Sequence, residues 1–348
     1  MLETLLRDIN ATEINAFARA VQTPADYALT LSVMPEKTIN SVKFRTKRTE
    51  RRVNAAQYRA FDAQTKVATR EAKRIVTEGM LPPLGQKYLV GELEQILLDT
   101  SRGADASEFV ELLYQDVAAH VQSIKSRLEL AVGDLLTDGK FTLAGENGLT
   151  VEYDAGVPSA NMPTAATAWT NPAADAIADE MAWIEVLRAS GAPLPSRVVT
   201  SYKARALLAA NDSYRRAFYG QPSTQTPTGV LAPNEVDAVR ARYNLPPIEV
   251  YDVQIPVDGG TNVRPIPEDR WLMLPPNPQQ WGETQYGVTA ESLVLSSGGN
   301  PAIERQEAPG IVVTHGYTDD PVQVWTKGAA VAMPVLYVPD IHITAKVF

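Results

Sequence analysis

The sequence predicts an α+β protein, and three features carry that prediction. One long apolar stripe at helical spacing runs through residues 105–138. Apolar residues alternate with period two just after it and again at the C-terminus, as in strands. Between residues 37 and 87 lies a strongly basic segment with too few large apolar residues to hold a core. The chain has 348 residues, 45% of them hydrophobic and 21% charged, an ordinary globular balance with enough apolar material for one large domain or two modest ones.

Residues 2–21 read as an amphipathic helix. Leu2, Leu5, Leu6, Ile9, Ile14, Phe17 and Val21 fall mostly at helical spacing, interrupted near Asn10. Such a helix either packs on its own domain or docks on a neighbour as an arm, and the sequence leaves both open. Residues 37–87 carry 13 Lys or Arg against 4 acids, a net +9. The rest of the chain carries 19 basic and 37 acidic residues, a net −18, so the whole stands at −9. Within the basic segment, Val42-Lys43-Phe44-Arg45-Thr46-Lys47 alternates like a strand, and Lys66 to Val76 offers a second extended run. The expectation is a long projecting hairpin whose two arms of about 15 residues each span roughly 50 Å. A hairpin that long is marginal by itself. The acidic remainder of another copy is a natural surface for it. The candidate contact residues are Lys43, Arg45, Lys47, Arg48, Arg51 and Arg52. A solvated basic loop and a nucleic-acid patch are the rival readings.

Residues 84–100 predict a short helix ending before Ser101-Arg102-Gly103. The longest element follows. Asp105 with Glu108 resembles a capping box. Val110, Leu113, Val117, Val121, Ile124, Leu128, Val132 and Leu135 then recur at spacings of three and four, and Gly139 supplies the stop. About 30 residues make a rod of roughly 45 Å. Gln115, Gln122, Arg127 and Glu129 form its polar back, so it should lie along a sheet; a coiled coil is the rival arrangement. Lys140 to Val157 reads as two strands joined at Gly145-Glu146-Asn147-Gly148. Residues 158–172, rich in Pro, Ala, Thr and Asn, read as a linker at a domain boundary.

The second region mixes both element types. Asp175 to Ser190 is a helix closed by Gly191, and Arg197 to Val199 a short buried strand. Tyr202 to Ala210 is a helix capped by Thr200 or Ser201. A loop at 220–229 precedes a helix from Asn234 to Tyr243. Ile248 to Pro256 and Arg270 to Leu274 read as strands joined through a hairpin at Asp258-Gly259-Gly260. Ile311 to Tyr317, Val322 to Thr326 and Ile341 to Val347 are the last strands.

The chemistry that is missing narrows the function. There are no cysteines, which removes disulfides, thiolate metal sites and cysteine catalysis. No phosphate-binding loop, dinucleotide fingerprint, nucleophile elbow or zinc-protease motif occurs. His120, His315 and His342 lie in different elements, and no metal or cofactor is expected. His315 with Asp319 and Asp320 reads as a strand-end turn rather than an acid/base pair. Glu146 with Asp154 is a spacing that chance supplies in an acidic protein. The five tryptophans, Trp169, Trp183, Trp271, Trp281 and Trp325, are scattered and read as core or interface anchors. An acidic net charge argues against a free nucleic-acid binder. No apolar stretch is long enough to span a bilayer, and no membrane partner is expected.

Four blocks in order resemble a known family. They are MLPPLGQKYLVGELEQILL from Met80, DGKFTLAGENGLTVEYDAG from Asp138, TAWTNPAADAIADEMAWIEVLRASG from Thr167, and the closing GIVVTHGYTDDPVQVWTKGAAVAMPVLYVPDIHITAKVF from Gly310. Together they resemble the lambda-type tailed-phage major capsid proteins, the capsid protein E group. One departure is Asn171, which stands where Asp is commoner. The resemblance implies the Hong Kong 97-type capsid fold. Residues 1–36 would be an N-terminal arm, 37–87 the extended loop, 88–167 a peripheral domain with spine helix 105–138, and 168–310 an axial domain. Residues 311–348 would be C-terminal strands of unassigned domain. The implied role is a non-enzymatic major capsid protein forming the hexamers and pentamers of an icosahedral head around double-stranded DNA. Its partners would be copies of itself, a separate scaffolding protein, a portal and the packaged DNA, with a decoration protein left open. Location would be the virion, after assembly in the host cytoplasm. A separate scaffold is expected because only about 40 residues from Met1 precede the basic segment, too few for a helical template. Lys43, Lys47 and Lys66 are loop lysines, but Gly310 to Phe348 holds no Asn, so covalently cross-linked shells are not expected. Two alternatives stay open. One is an encapsulin-like bacterial compartment shell; the other is an enzyme or soluble nucleic-acid-binding protein that uses the basic segment.

Overall fold

The computed structural model describes residues 11–51, 61, 72–91, 106–146, 148–222, 228–257, 260–297, 310–319 and 322–348. After helix α1 (Ala11–Ala20) come strands β1 (Glu36–Thr38), β2 (Lys43–Arg51), β3 (Ala72–Met80) and β4 (Pro83–Val90). The long helix α2 (Ala106–Asp138) runs unbroken for 33 residues. Its predicted cap, Asp105, falls outside the described residues, as do residues 2–10 of the predicted N-terminal helix. Gly139 ends α2 in the left-handed region, at φ +77°.

Helix α2 lies on a sheet rather than on another helix. The sheet is organised by β14 (Val322–Leu336). One edge of β14 pairs with β13 (Val312–Asp319), and the other pairs end to end with β4 and then β12 (Gly282–Tyr286). Strand β1 extends the sheet beyond β12 in parallel. Val117, Val121, Ile124, Leu128, Val132 and Leu135 are each 3% exposed or less. They fit because β14 is small beneath them: Gly328, Ala329, Ala330 and Ala332 are all buried. A Cβ on Gly328 would stand 2.7 Å from the Cβ of His120. His120 stacks on Tyr88 of β4, and its Nε2 lies 3.0 Å from Thr326 Oγ1.

Strand β4 corrects the helix expected over 84–100. Leu84, Tyr88 and Val90 turn inward while Gly85, Lys87 and Leu89 are exposed, a period of two. Eight residues of antiparallel pairing with β14 override the helical look of that segment. Residues 92–100 lie outside the described residues.

A second sheet has the order β15-β11-β7-β8. Its strands are β7 (Arg197–Thr200), β8 (Ile248–Val250), β11 (Arg270–Leu274) and β15 (Ile343–Lys346). Helices α3 (Ala176–Ser190), α4 (Tyr202–Ala210), α5 (Asp212–Tyr219) and α6 (Pro233–Arg242) contribute to a core at this sheet built around Trp169, Trp183 and Trp271. Gly191 closes α3 as expected, Asp175 proves to be its N-cap, and Ser201 caps α4. Inside this layer Arg240 forms a buried ion pair with Glu180 at 2.7 Å, and Tyr214 donates to the same carboxylate at 2.9 Å. The expected hairpin to β11 does not form: β9 (Ile255–Val257) pairs instead with β10 (Thr261–Val263), and residues 258–259 lie outside the described residues. Strand β11 cannot join that pair, because β15 and β7 already occupy both its edges. Residues 158–172 are no free tether either. Ala165 donates to Lys346 O and Trp169 to Val347 O, so this stretch seals the edge of β15. The C-terminal strands divide between the sheets, β13 and β14 in the first and β15 in the second.

The C-terminal half of α2 is the joint. Val132, Leu135 and Leu136 share one core with Leu272 and Leu274 of β11 and with Val335 and Leu336 of β14. Glu129, expected on the polar back, is instead fully buried there. Its Oε1 accepts Leu29 N–H at 2.9 Å and the Tyr251 hydroxyl at 2.7 Å. Oε2 accepts Thr30 N–H at 2.9 Å and the Thr30 hydroxyl at 2.7 Å. Leu29–Val33 is a single π-helical turn, so the carboxylate sits at the N-terminus of that turn, where bare N–H groups and the local dipole favour an anion. Arg197 of β7 holds the same turn from the other side, donating to Ser32 O at 2.7 Å. Burial pushes the Glu129 carboxyl above its ordinary pKa, against four hydrogen bonds that favour the ionised form. Close by, a Cβ on Gly133 would stand 2.1 Å from Pro265 O, so this turn of α2 tolerates only glycine.

Two stability predictions follow from the packing of α2. Leu128→Ala should cost about 2–5 kcal/mol as a buried large-to-small change. Gly133→Ala should also lower the denaturation midpoint, although the same change in an open helix interior gains roughly 1 kcal/mol. A rise in midpoint for Gly133→Ala, or no change for Leu128→Ala, would refute the close packing.

A pH dependence follows from His342, which is 1% exposed and follows β14 at the joint. Its Nδ1 accepts Trp281 Nε1–H at 3.2 Å, and burial lowers its pKa from 6.5 to about 4. The unfolded chain therefore binds the extra proton between pH 6.5 and 4, and stability falls as pH drops through that window, by roughly 3 kcal/mol from this group alone. His120, lowered by burial as well, acts with the same sign, and Glu129 with the opposite one. Replacing His342 with Gln should shrink the loss of stability between pH 7 and pH 4. An unchanged acid loss in that variant would contradict the assignment.

Candidate assembly surface

Among the described residues, strands β2 and β3 pair only with each other, in register from Lys43 opposite Met80 to Arg51 opposite Ala72. The expected second arm is described from Ala72 onward, and Lys66 to Glu71 fall outside the described residues. Nine residues per strand span about 30 Å. Residues 83–87, counted above with the basic segment, sit in β4, where Lys87 Nζ lies 4.9 Å from the centre of the Trp325 ring.

The hairpin is rooted by one aromatic contact. Phe44 is buried and meets Tyr153 of β6 (Leu149–Asp154) edge to face, with ring centres 5.3 Å apart. Gly79, opposite Phe44, leaves room for its ring: a Cβ there would stand 2.5 Å from it. The Tyr153 hydroxyl lies within hydrogen-bond reach of the Leu336 backbone, and burial pushes its pKa up to about 12. Strand β6 pairs with β5 (Lys140–Glu146), which follows α2 directly, so the root stands on the end of the long helix.

Of the six predicted contact residues, Lys43 is exposed at the root. Arg45 is exposed too and forms a cross-strand ion pair with Glu78 at 2.6 Å. Lys47, Arg48 and Arg51 lie on β2, and Arg52 is outside the described residues. The structure therefore brings five of the six onto one strand. Glu129 is the residue whose role sequence reading missed. Its local signal was weak: it lies about 100° round the helix from Leu128, outside the stripe, on the side where Leu136 is also buried.

No enzyme-like arrangement emerges among the described residues. Glu146 pairs with Arg127, and Asp154 pairs with Lys140 at 3.3 Å, so each half of the considered carboxylate pair is neutralised by its own base. No group of three His, Asp or Glu among them could hold a metal ion. No described helix is long and apolar enough to cross a membrane. A groove of about 700 Å³ runs between β4, α2 and the β5–β6 pair, floored by apolar residues such as Leu84, Ile124, Leu128 and Phe141.

The profile of one family, phage major capsid protein E, matches residues 10–347. The chain belongs to the phage major capsid protein E family. It is thus a structural subunit of a phage capsid, a component of the virion. A search of curated proteins finds no match. Among solved structures, the chain is similar to a prophage protein of E. coli CFT073 described as a capsid protein. The two share 14% identity at a TM-score of 0.61, covering 98% of this chain and 99% of that one. It is also similar to a phage-related protein of Bordetella bronchiseptica RB50, with 12% identity, a TM-score of 0.52, and 96% and 95% coverage. The fold of this capsid protein is the Hong Kong 97-type expected from the sequence blocks.

The aromatic root gives a direct test. Phe44→Ala should cost about 3–5 kcal/mol where the ring is buried. Hydrogen exchange should accelerate across β2 and β3 while α2 stays protected. Equal protection of the hairpin in both proteins would show that Phe44 does not anchor it.

Proposed function

We propose that the basic hairpin of this capsid protein lies on a neighbouring copy, and that this contact helps close hexamers and pentamers into an icosahedral head around double-stranded DNA. The observation that carries the reading is the hairpin itself: a two-stranded ribbon, paired with no other strand among the described residues, inside a segment of net +9 on a chain whose remainder is −18. A ribbon of two strands is marginal in water and gains stability by lying on a surface. Exposed ion pairs contribute only about 0–1 kcal/mol each, but a symmetric assembly repeats them at every subunit. The further partners proposed are a separate scaffolding protein, a portal and the packaged DNA, with assembly in the host cytoplasm and no catalytic role. An encapsulin-like compartment would use the same fold, and the capsid-family match favours the phage reading.

Replacing Lys47, Arg51 and Arg52 together with Glu should leave the subunit folded, with an unchanged circular dichroism spectrum, and should impair assembly. Normal shells from that triple variant, counted by electron microscopy, would remove the proposal.

A further inference from the structure

The hairpin has two unlike faces, and its pairing register separates them. Directly opposed residues of an antiparallel pair share a face, and faces alternate along each strand. One face therefore takes positions 44, 46, 48 and 50 of β2 with 79, 77, 75 and 73 of β3. The other takes 43, 45, 47, 49 and 51 with 80, 78, 76, 74 and 72.

Exposure follows the same division wherever side chains are described. On the first face Phe44 and Thr46 are buried, and Thr77 and Gly79 are half-buried. That face leans on the chain's own β6 through Phe44 and Tyr153. On the second face Lys43, Arg45, Val76, Glu78 and Met80 are all exposed, Met80 at 64%. By backbone register the second face takes five cationic positions, 43, 45, 47, 51 and 74, against one acidic position, Glu78, which is paired with Arg45. By the same register the first face takes two cationic positions, 48 and 73, and one acidic position, 50.

We infer that the second face, marked by Lys43, Lys47 and Met80, is the one that lies on a second copy of this chain, against a carboxylate-rich surface. This rests on the reading of the hairpin as an inter-copy contact and adds which side makes it. Charge complementarity selects the occupant: outside the basic segment the chain has nearly two acids for every base. The exposed Met80 and Val76 beside the cations add apolar area that a protein surface can cover and a phosphate backbone cannot. The first face is excluded near the root because the chain's own body already occupies it.

Two double variants change net charge equally and differ only in face. Lys43→Glu with Lys47→Glu should cut the yield of sedimenting shells by about tenfold or more, since small losses at each contact multiply through the assembly. Arg48→Glu with Lys73→Glu should leave the yield within about twofold. Arg45 is left unchanged because it pairs with Glu78. Both are compared with the unchanged chain under conditions in which that chain assembles, after thermal unfolding confirms a folded subunit. If the first pair fails to fold, Lys43→Gln with Lys47→Gln takes its place, with the same direction expected. Equal losses from both pairs would overturn the face assignment while leaving the inter-copy reading intact. Normal yields from both, with assembly still lost when Arg51 and Arg52 are reversed, would move the contact to the tip and also overturn it. Normal shells with reduced DNA content from the first pair would make nucleic acid the occupant instead.

Discussion

Helix α2 has to bury an apolar stripe and a carboxylate at the same time, and most of the fold can be understood as the solution to that constraint. The stripe needs a flat, close surface, which the small residues from Gly328 to Ala332 of β14 supply. Glu129 needs donors, because an ionised carboxylate without them is expensive to bury. Leu29, Thr30 and Tyr251 supply four. Those donors come from the segment leading out of α1 and from the loop after β8, so one side chain fixes three parts of the chain together. Removing any one of these donors would leave a buried carboxylate short of a hydrogen bond, a larger cost than the loss of a single exposed one.

The same arrangement explains where the hairpin stands. Helix α2 ends at Gly139, β5 and β6 follow at once, and Tyr153 of β6 receives Phe44. The root of the projection is thereby tied to the longest described helix of the subunit, while its outer part pairs with no other strand among the described residues. A subunit so built exposes basic and apolar surface that a lone molecule has no use for. Repeated around a shell, weak contacts of this kind can be individually reversible and collectively strong, which lets misplaced subunits leave before closure.

Much of this was legible in the sequence because it depends on local period and local charge. The stripe from Val117 to Leu135, the Gly139 and Gly191 stops and the basic segment are all visible within windows of ten to thirty residues. What was not legible depends on partners far away in the chain. Residues 84–90 look helical until β14, more than 230 positions later, is available to pair with them. Strand β14 was cut short at Thr326, because Gly328 to Ala330 lack the bulk that marks a strand; their smallness makes sense only with α2 above them. Glu129 looked solvated because nothing near it in sequence announces its donors, which lie about 100 positions before it and 122 after. The hairpin through 258–260 was joined to the wrong strand because its true partner, Thr261–Val263, is only three residues long.

The account stands or falls on whether this chain builds assemblies through repeated copies of one contact. Electron microscopy of the purified protein tests that most directly. The account predicts ring-like capsomers, tubes or irregular shells from the chain alone, and uniform closed shells once a scaffolding partner is supplied. A homogeneous field of compact single-chain particles at every concentration and salt, with or without that partner, would contradict it.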